Sequence, residues 1–269
     1  MVNEVRNSPI EEHPILDHLA TRELGRHLLV LEDCTSTIDV AAEHASREVI
    51  HGFTVISERQ GEGRGRFGRV WISPRGGIWM TVVLRPKSSG SFAALPILAA
   101  LAVVSALQSR GVQALVRWPN DVMVNRKKVA GVLVESRSEG NTIAYALLGI
   151  GINANFHSAE LKTHAMKATT LLEVAGSPVD RNTVICDILL SIERLLDDVF
   201  VGLEDTVVEL LKENECSVGR KVRVETPEYN ITGVFQDYQN LTKVLIGTSD
   251  QARESIETGS AVSVEYLDD

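Results

Sequence analysis

Apolar positions change period several times along the chain, and each change marks an element. At residues 15–24 they fall at 15, 16, 19, 20 and 24, the spacing of a short helix that Gly25 would stop. Residues 27–32 then read as a strand. Thr35, Ser36 and Thr37 offer hydroxyls at a helix start, with Asp39 in the first turn, where the helix dipole favours an anion. Ile38, Ala41, Ala42 and Ala45 give that helix an apolar face. Strands are expected at 53–58 and 78–84. Residues 93–108 are apolar nearly all round, which predicts a buried helix ending at Gly111. Three strands follow at 114–118, 129–136 and 143–150, with turns at Asn120-Asp121 and 125–128.

Beyond Asn155 the pattern turns helical, over 168–175, 181–201 and 204–213. The stripe of Ile185, Ile188, Leu189, Ile192, Leu195, Leu196 and Val199 marks one core-facing side. The carboxylates between 193 and 213 read as a solvated face. Near residue 214 the character changes to short alternating segments at 221–225, 231–236, 243–247 and 261–266, the spacing of a small β-barrel or sandwich. The expected division is a leader with a short helix (1–26), an α/β domain (27–213) and a small β domain (214–269).

Composition narrows the function. The 269 residues are 44% hydrophobic and carry a net charge of −9, which suits a globular chain and argues against a broad nucleic-acid-binding face. Three cysteines without a Cys-x-x-Cys pair argue against disulfide scaffolding and a zinc site, and favour a reducing, cytoplasmic setting. Cys34 reads as a small packed residue. The seven histidines lack metal-ligand spacing. No apolar run is long enough to span a bilayer, so no membrane partner is expected.

Against that acidic background, Arg59, Arg64, Arg66 and Arg69 fall within eleven residues, interleaved with Gly61, Gly63, Gly65 and Gly68. Glycines let backbone N–H groups approach a ligand, and guanidinium forks match phosphate or carboxylate oxygens. The plain alternative is a solvated basic loop. A Rossmann fingerprint would need a helix next, whereas Val70, Trp71, Ile72, Ser73 and Pro74 follow. We therefore expect a loop that is mobile when empty and folds over a phosphate-bearing ligand, with Trp71 available to pack on a planar base. A second cluster, Arg117 to Asp121 followed by Lys127 and Lys128, would be an ordinary turn by itself. Beside an arginine loop, its amide, carboxylate and lysines suggest a metal–phosphate site. The third, Gly149, Gly151, Asn153 and Asn155, suggests either a bulge or something lying flat on the backbone.

These motifs, Gly63 to Trp71, Arg117 to Asp121, Lys128 to Glu135 and Gly149 to Asn153, resemble in order and spacing those of the biotin–protein ligases, and the likeness runs from about residue 27 onward. The resemblance implies an α/β (α+β) catalytic domain related to class II aminoacyl-tRNA synthetases and lipoate ligases, plus a small C-terminal SH3-like β-barrel. It implies formation of biotinyl-5′-AMP from biotin and ATP with Mg2+, and transfer of biotin to one lysine of a biotin carboxyl carrier protein. By the same resemblance Ser36, Thr37 and Gln60 would line the biotin ureido end, with Gly63 and Gly131 against biotin. Arg64 and Arg66 would hold the carboxyl and phosphate region, and Lys128 would contact biotin's carboxylate and the α-phosphate. Arg69 would steady the phosphates, Trp71 would pack near adenine, Asn153 would meet it, and Asn120 and Asp121 would shape the magnesium pocket.

Relatives often pair as homodimers, which is the expectation here. About 26 residues precede the first strand, too few for the N-terminal winged helix of some bacterial members, so DNA binding is not expected. Two alternatives stay open: a lipoate or octanoyl transfer enzyme of the same superfamily, and a non-catalytic biotin-sensing regulator.

Overall fold

The computed structural model describes residues 8–47, 50–85, 92–140, 142–161, 168–248 and 252–267. Its centre is a seven-stranded sheet in the order β1-β2-β3-β7-β6-β5-β4. The strands are β1 (Leu28–Leu31), β2 (Thr54–Ser57), β3 (Ile78–Leu84), β4 (Ala114–Arg117), β5 (Asp121–Val124), β6 (Lys127–Glu139) and β7 (Thr142–Ile152). β1 and β2 run parallel, and every other neighbouring pair is antiparallel.

The two-residue side-chain period of the strands divides the sheet's work. Ile78, Met80, Val82 and Leu84 of β3, with Ala146, Leu148 and Ile150 of β7, point into the main core. That core is completed by α3 (Leu95–Gln108) and α5 (Arg181–Phe200), which pack on each other. The alternate residues face α2 (Thr37–Ala45), which covers only part of the other side. There the row Leu133, Gly149 and Thr81 runs across β6, β7 and β3, and the next row is Gly131, Gly151 and Trp79. Glycines on this face leave the depth in which a site can form.

The remaining helices are α1 (Glu12–His18), α4 (Leu171–Ala175) and α6 (Glu204–Glu213). A second, five-stranded antiparallel sheet, β11-β10-β9-β8-β12, is built from β8 (Lys221–Glu225), β9 (Asn230–Tyr238), β10 (Lys243–Gly247), β11 (Arg253–Glu257) and β12 (Ser263–Tyr266). Its Phe235 meets Trp118 with ring centroids 5.7 Å apart, so the two sheets share one continuous core. Among the described residues no helix is long and apolar enough to cross a membrane.

Four expectations need correction. The first helix ends at His18, well short of Leu24, because the backbone N–H groups of Arg22, Glu23 and Leu24 all donate to the carboxylate of Glu193 and are not free for helix bonds. Glu193 is therefore a buried anchor and no part of a solvated face. Its three backbone donors outweigh burial and hold its carboxyl below the usual range. Asp121, expected in a turn, opens strand β5. That strand joins β6 through Asn125 (φ 50°) and Arg126 (φ 62°), the two left-handed residues of a tight hairpin. Finally, β11 escaped the apolar pattern because Ile256 is its one buried residue.

Candidate active site

Ser36 caps α2 by accepting from the Ile38 N–H at 3.3 Å, which fixes Thr37 at the helix entrance. Gln60 Oε1 accepts from both the Thr37 N–H (2.8 Å) and its hydroxyl (3.0 Å), while Gln60 Nε2 donates to Ser73 Oγ at 2.8 Å. Thr37 also meets Thr81 Oγ1 at 2.8 Å. Ser36, Thr37 and Gln60 thus form one end of the site, stitched from two separated stretches of chain.

The glycine–arginine loop closes on itself as a narrow hairpin. Gly65 N–H donates to Arg69 O (2.7 Å) and Trp71 N–H to Gly63 O (2.8 Å), with Phe67 (φ 57°) and Gly68 (φ 72°) at the tip. Gly63 is required by contact: a Cβ there would lie 2.4 Å from Trp71 O. Trp71 then lies across the glycines of the sheet. A Cβ on Gly151 would sit 2.6 Å from Trp71 Nε1, and one on Gly131 would sit 3.1 Å from the ring. On Gly149 the neighbour is Ile38, at 2.8 Å. What lies flat on these glycines is therefore the chain's own Trp71 and Ile38, and Gly131 touches Trp71 and Lys128.

Arg64, Arg66, Arg69 and Lys128 all line a single cavity of about 1090 Å³, together with Ser36, Thr37, Gln60, Trp71, Asn120, Asp121, Gly131 and Asn153. Their partners differ. Arg64 donates to both Glu135 oxygens (2.8 and 3.2 Å) and meets Asp39 at 2.7 Å, and these bonds drive its pKa further above the ordinary arginine value. Its charge is matched within the protein, so it works as a clasp holding the loop to α2 and β6. The sequence alone does not show Glu135 and Asp39, the clasp's carboxylates, as loop anchors: Glu135 closes the Lys128 to Glu135 motif and Asp39 suits the dipole of the first turn of α2.

Arg66 donates to Asn120 Oδ1 (3.4 Å) and to the Ala261 carbonyl just before β12. Burial pushes its guanidinium below the usual arginine value, with nearby Asp121 opposing and Arg69 reinforcing that shift. Asn120 Nδ2 holds Val132 O at 2.6 Å, locking its amide towards Arg66. Lys128 Nζ pairs with Asp121 at 2.5 Å and stands 5.0 Å from the Trp71 ring centroid. Asp121 is therefore an ion-pair partner. Among the described residues no group of three or more His, Cys, Asp or Glu side chains could hold a metal ion.

Two of the cavity-lining residues each carry a buried polar atom with no hydrogen-bond partner among the described residues. Asn153 Nδ2 donates to Thr169 O at 3.1 Å, which leaves its buried Oδ1 as an unused acceptor, and the buried Trp71 Nε1 is an unused donor. Buried polar atoms are rarely left so, and in a cavity they mark where a ligand can bond. Cys34 is half-buried and does not line the cavity, and burial pushes its thiol up, away from a nucleophilic thiolate.

Residues 30–153 match the model of the biotin/lipoate A/B protein ligase family. The chain is 32% identical over 265 residues to the bifunctional ligase/repressor BirA of Bacillus subtilis, covering 97% of this chain and 78% of that protein. It is 28% identical over 241 residues to the biotin--[acetyl-CoA-carboxylase] ligase of Mycobacterium tuberculosis, covering 85% and 86%. The fold superposes on the biotin protein ligase from Aquifex aeolicus in complex with biotin and ATP with a TM-score of 0.78 and 29% identity, over 90% of this chain and 99% of that one.

Proposed function

Because this chain belongs to the biotin/lipoate A/B protein ligase family, we propose that it is an ATP-dependent biotin–protein ligase, which forms biotinyl-5′-AMP and passes biotin to a lysine of a biotin carboxyl carrier protein. The observation that carries the reading is the convergence of Arg66, Arg69 and Lys128 with the unused Asn153 acceptor in one cavity large enough for an acyl nucleotide.

In the first step a biotin carboxylate oxygen attacks the α-phosphorus and pyrophosphate leaves. Two anions must approach, so fixed cations are needed where charge concentrates. Lys128 at the attacking carboxylate and α-phosphate, and Arg66 and Arg69 along the phosphates, supply them. Arg64, neutralised by Asp39 and Glu135, keeps the loop in position. Asn153 Oδ1 suits the adenine amino group, with Trp71 packed near the ring. Ser36, Thr37 and Gln60 offer donors and acceptors to the ureido end, and Gly63 lets Trp71 O, Ser73 and Gln60 pack closely behind them. Magnesium usually arrives on the nucleotide phosphates and needs one or two protein carboxylates, which Asp121 beside Asn120 can provide. In the second step the carrier lysine attacks the acyl carbon and AMP leaves. The mixed anhydride is hydrolytically fragile until then, so a loop that orders over it protects it from water.

Three measurements bear on this. Biotin with MgATP is expected to raise the melting temperature, and lipoate with MgATP is not; the reverse would favour the lipoate branch of the family. Hydrogen exchange across residues 61–70 should slow on binding both substrates, and rapid exchange that persists in their presence would remove the closing role of the loop. Gly151→Ala would drive a methyl into Trp71, an overpacking worth about 1–3 kcal/mol. It should raise KM for ATP about tenfold, and an unchanged KM would detach Trp71 from the nucleotide.

A further inference from the structure

Trp118 is 1% exposed although it sits in the tight turn between β4 and β5, the turn that carries Asn120 and leads into Asp121. Its backbone groups are satisfied from outside its own sheet. Trp118 N–H donates to Ser217 Oγ at 3.0 Å, Ser217 Oγ lies 2.5 Å from Tyr266 Oη, and Tyr266 Oη donates to Trp118 O at 2.9 Å. Proton counting fixes the direction. Tyr266 has one hydroxyl proton and spends it on the Trp118 carbonyl, so Ser217 must donate to the tyrosine oxygen while accepting from Trp118. The result is a closed ring of three hydrogen bonds, with Glu215 Oε1 a second, longer acceptor for the Trp118 N–H at 3.4 Å.

The environment keeps the ring neutral and buried. Ser217 is fully buried, and burial keeps the Tyr266 phenol well above its usual pKa. Around the ring, the Arg117 guanidinium stands 3.7 Å from the Tyr266 ring centroid, Glu215 accepts from the Ser217 N–H at 2.7 Å and the Tyr238 hydroxyl at 2.5 Å, and Trp118 Nε1 donates to Thr258 Oγ1 at 3.1 Å. Two residues beyond Trp118, Asn120 orients Arg66, and three beyond, Asp121 holds Lys128.

We propose that Ser217 and Tyr266 are positioning residues for the nucleotide-activating step: through the Trp118 backbone they fix the turn that aims Asn120 at Arg66 and Asp121 at Lys128. Trp118 and Tyr266 line the cavity and Ser217 does not, so Ser217→Ala reads the positioning role free of any direct contact with substrate. The ring couples the second sheet to the phosphate end of the cavity, and its role rests on the ligase reading above.

Tyr266→Phe keeps the aromatic face under Arg117 and deletes only the hydroxyl, and Ser217→Ala deletes the other ring member. Each is compared with the wild-type chain in biotin-dependent exchange of pyrophosphate into ATP and in equilibrium binding of biotin alone, well below the melting temperature. Both variants are expected to show about a tenfold rise in KM for ATP and a similar fall in kcat, the loss that a small displacement of the cationic groups produces. Biotin affinity should stay within about twofold in both, since Ser36, Thr37 and Gln60 are built from other elements. The double variant should be little worse than either single one, because one broken bond already opens the ring. Wild-type kinetics in both variants would overturn the proposal. So would parallel weakening of biotin and ATP, which would make the ring a stability element only. An inactive wild-type chain would remove the ligase reading and this inference together, whereas an active wild type with unaffected variants removes this inference alone.

Discussion

Replacing Lys128 with alanine is expected to lower biotin-dependent pyrophosphate exchange by about 10²–10³-fold, the usual cost of deleting one electrostatic group aimed at developing charge. Lys128 is held on the sheet itself, in β6 beside the Gly131 and Gly151 row, while Arg64, Arg66 and Arg69 arrive on a hairpin loop. Its Nζ is aimed by Asp121 at 2.5 Å and backed by the Trp71 ring, so it enters the reaction already oriented. An interaction made mainly in the transition state is lost from kcat and from kcat/KM alike. The fold should survive, because Asp121 keeps the electrostatic attraction of Arg66 after the lysine is gone. Circular dichroism and the melting temperature would verify that, and turnover within twofold of wild type would defeat the assignment.

The largest effect on stability is expected at Arg181, far from the chemistry. Its guanidinium is 1% exposed and forms a two-pronged pair with Glu58, both contacts at 2.9 Å, while also donating to Gly77 O (2.9 Å) and Ser8 O (2.7 Å). Glu58 in turn accepts from the Ile10 N–H at 2.6 Å. One ion pair therefore ties the N-terminal stretch, the end of β2, the entry to β3 and the first turn of α5. Arg181→Ala would leave the Glu58 carboxylate buried without its cation, at a cost of about 3–5 kcal/mol. Chemical denaturation should show the loss in full. Replacing both partners by apolar residues should cost less than the single change, and a larger loss in the double variant would contradict this view of the pair.

The pair also illustrates what a sequence withholds. Arg181 and Glu58 are 123 positions apart, and each alone reads as a surface charge at an element end. The same holds for Glu193, whose role appears once three backbone N–H groups from residues 22–24 are seen to converge on it. Ser217 and Tyr266 lie in stretches with no motif, and their pairing with Trp118 depends on how the two sheets meet. Period-based elements fared better. The strand expected at 78–84 and the alternating segment at 221–225 matched β3 and β8 residue for residue, and the all-round apolar run at 93–108 became α3, which begins at Leu95. The short strand β5 was hidden by the turn chemistry of Asn120 and Asn125 on either side of it.

Within the site, residue types predicted the gathering of cations but not their partners. The four arginine and lysine positions were legible because glycine spacing and local charge reversal are properties of the sequence. That Arg64 is held by Asp39 and Glu135, while Arg66 and Arg69 are held by no carboxylate hydrogen bond among the described residues, follows from the three-dimensional fold. The glycines at 149 and 151 signalled close approach correctly, and the approaching groups turned out to be Ile38 and Trp71.

The most direct test is intact-mass measurement of a purified biotin carboxyl carrier domain after incubation with this protein, biotin and MgATP. The expected result is addition of one biotinyl group at a single lysine, dependent on ATP and absent with the Lys128→Ala protein. An unmodified carrier, in a sample that an established biotin ligase modifies under the same conditions, would contradict the account.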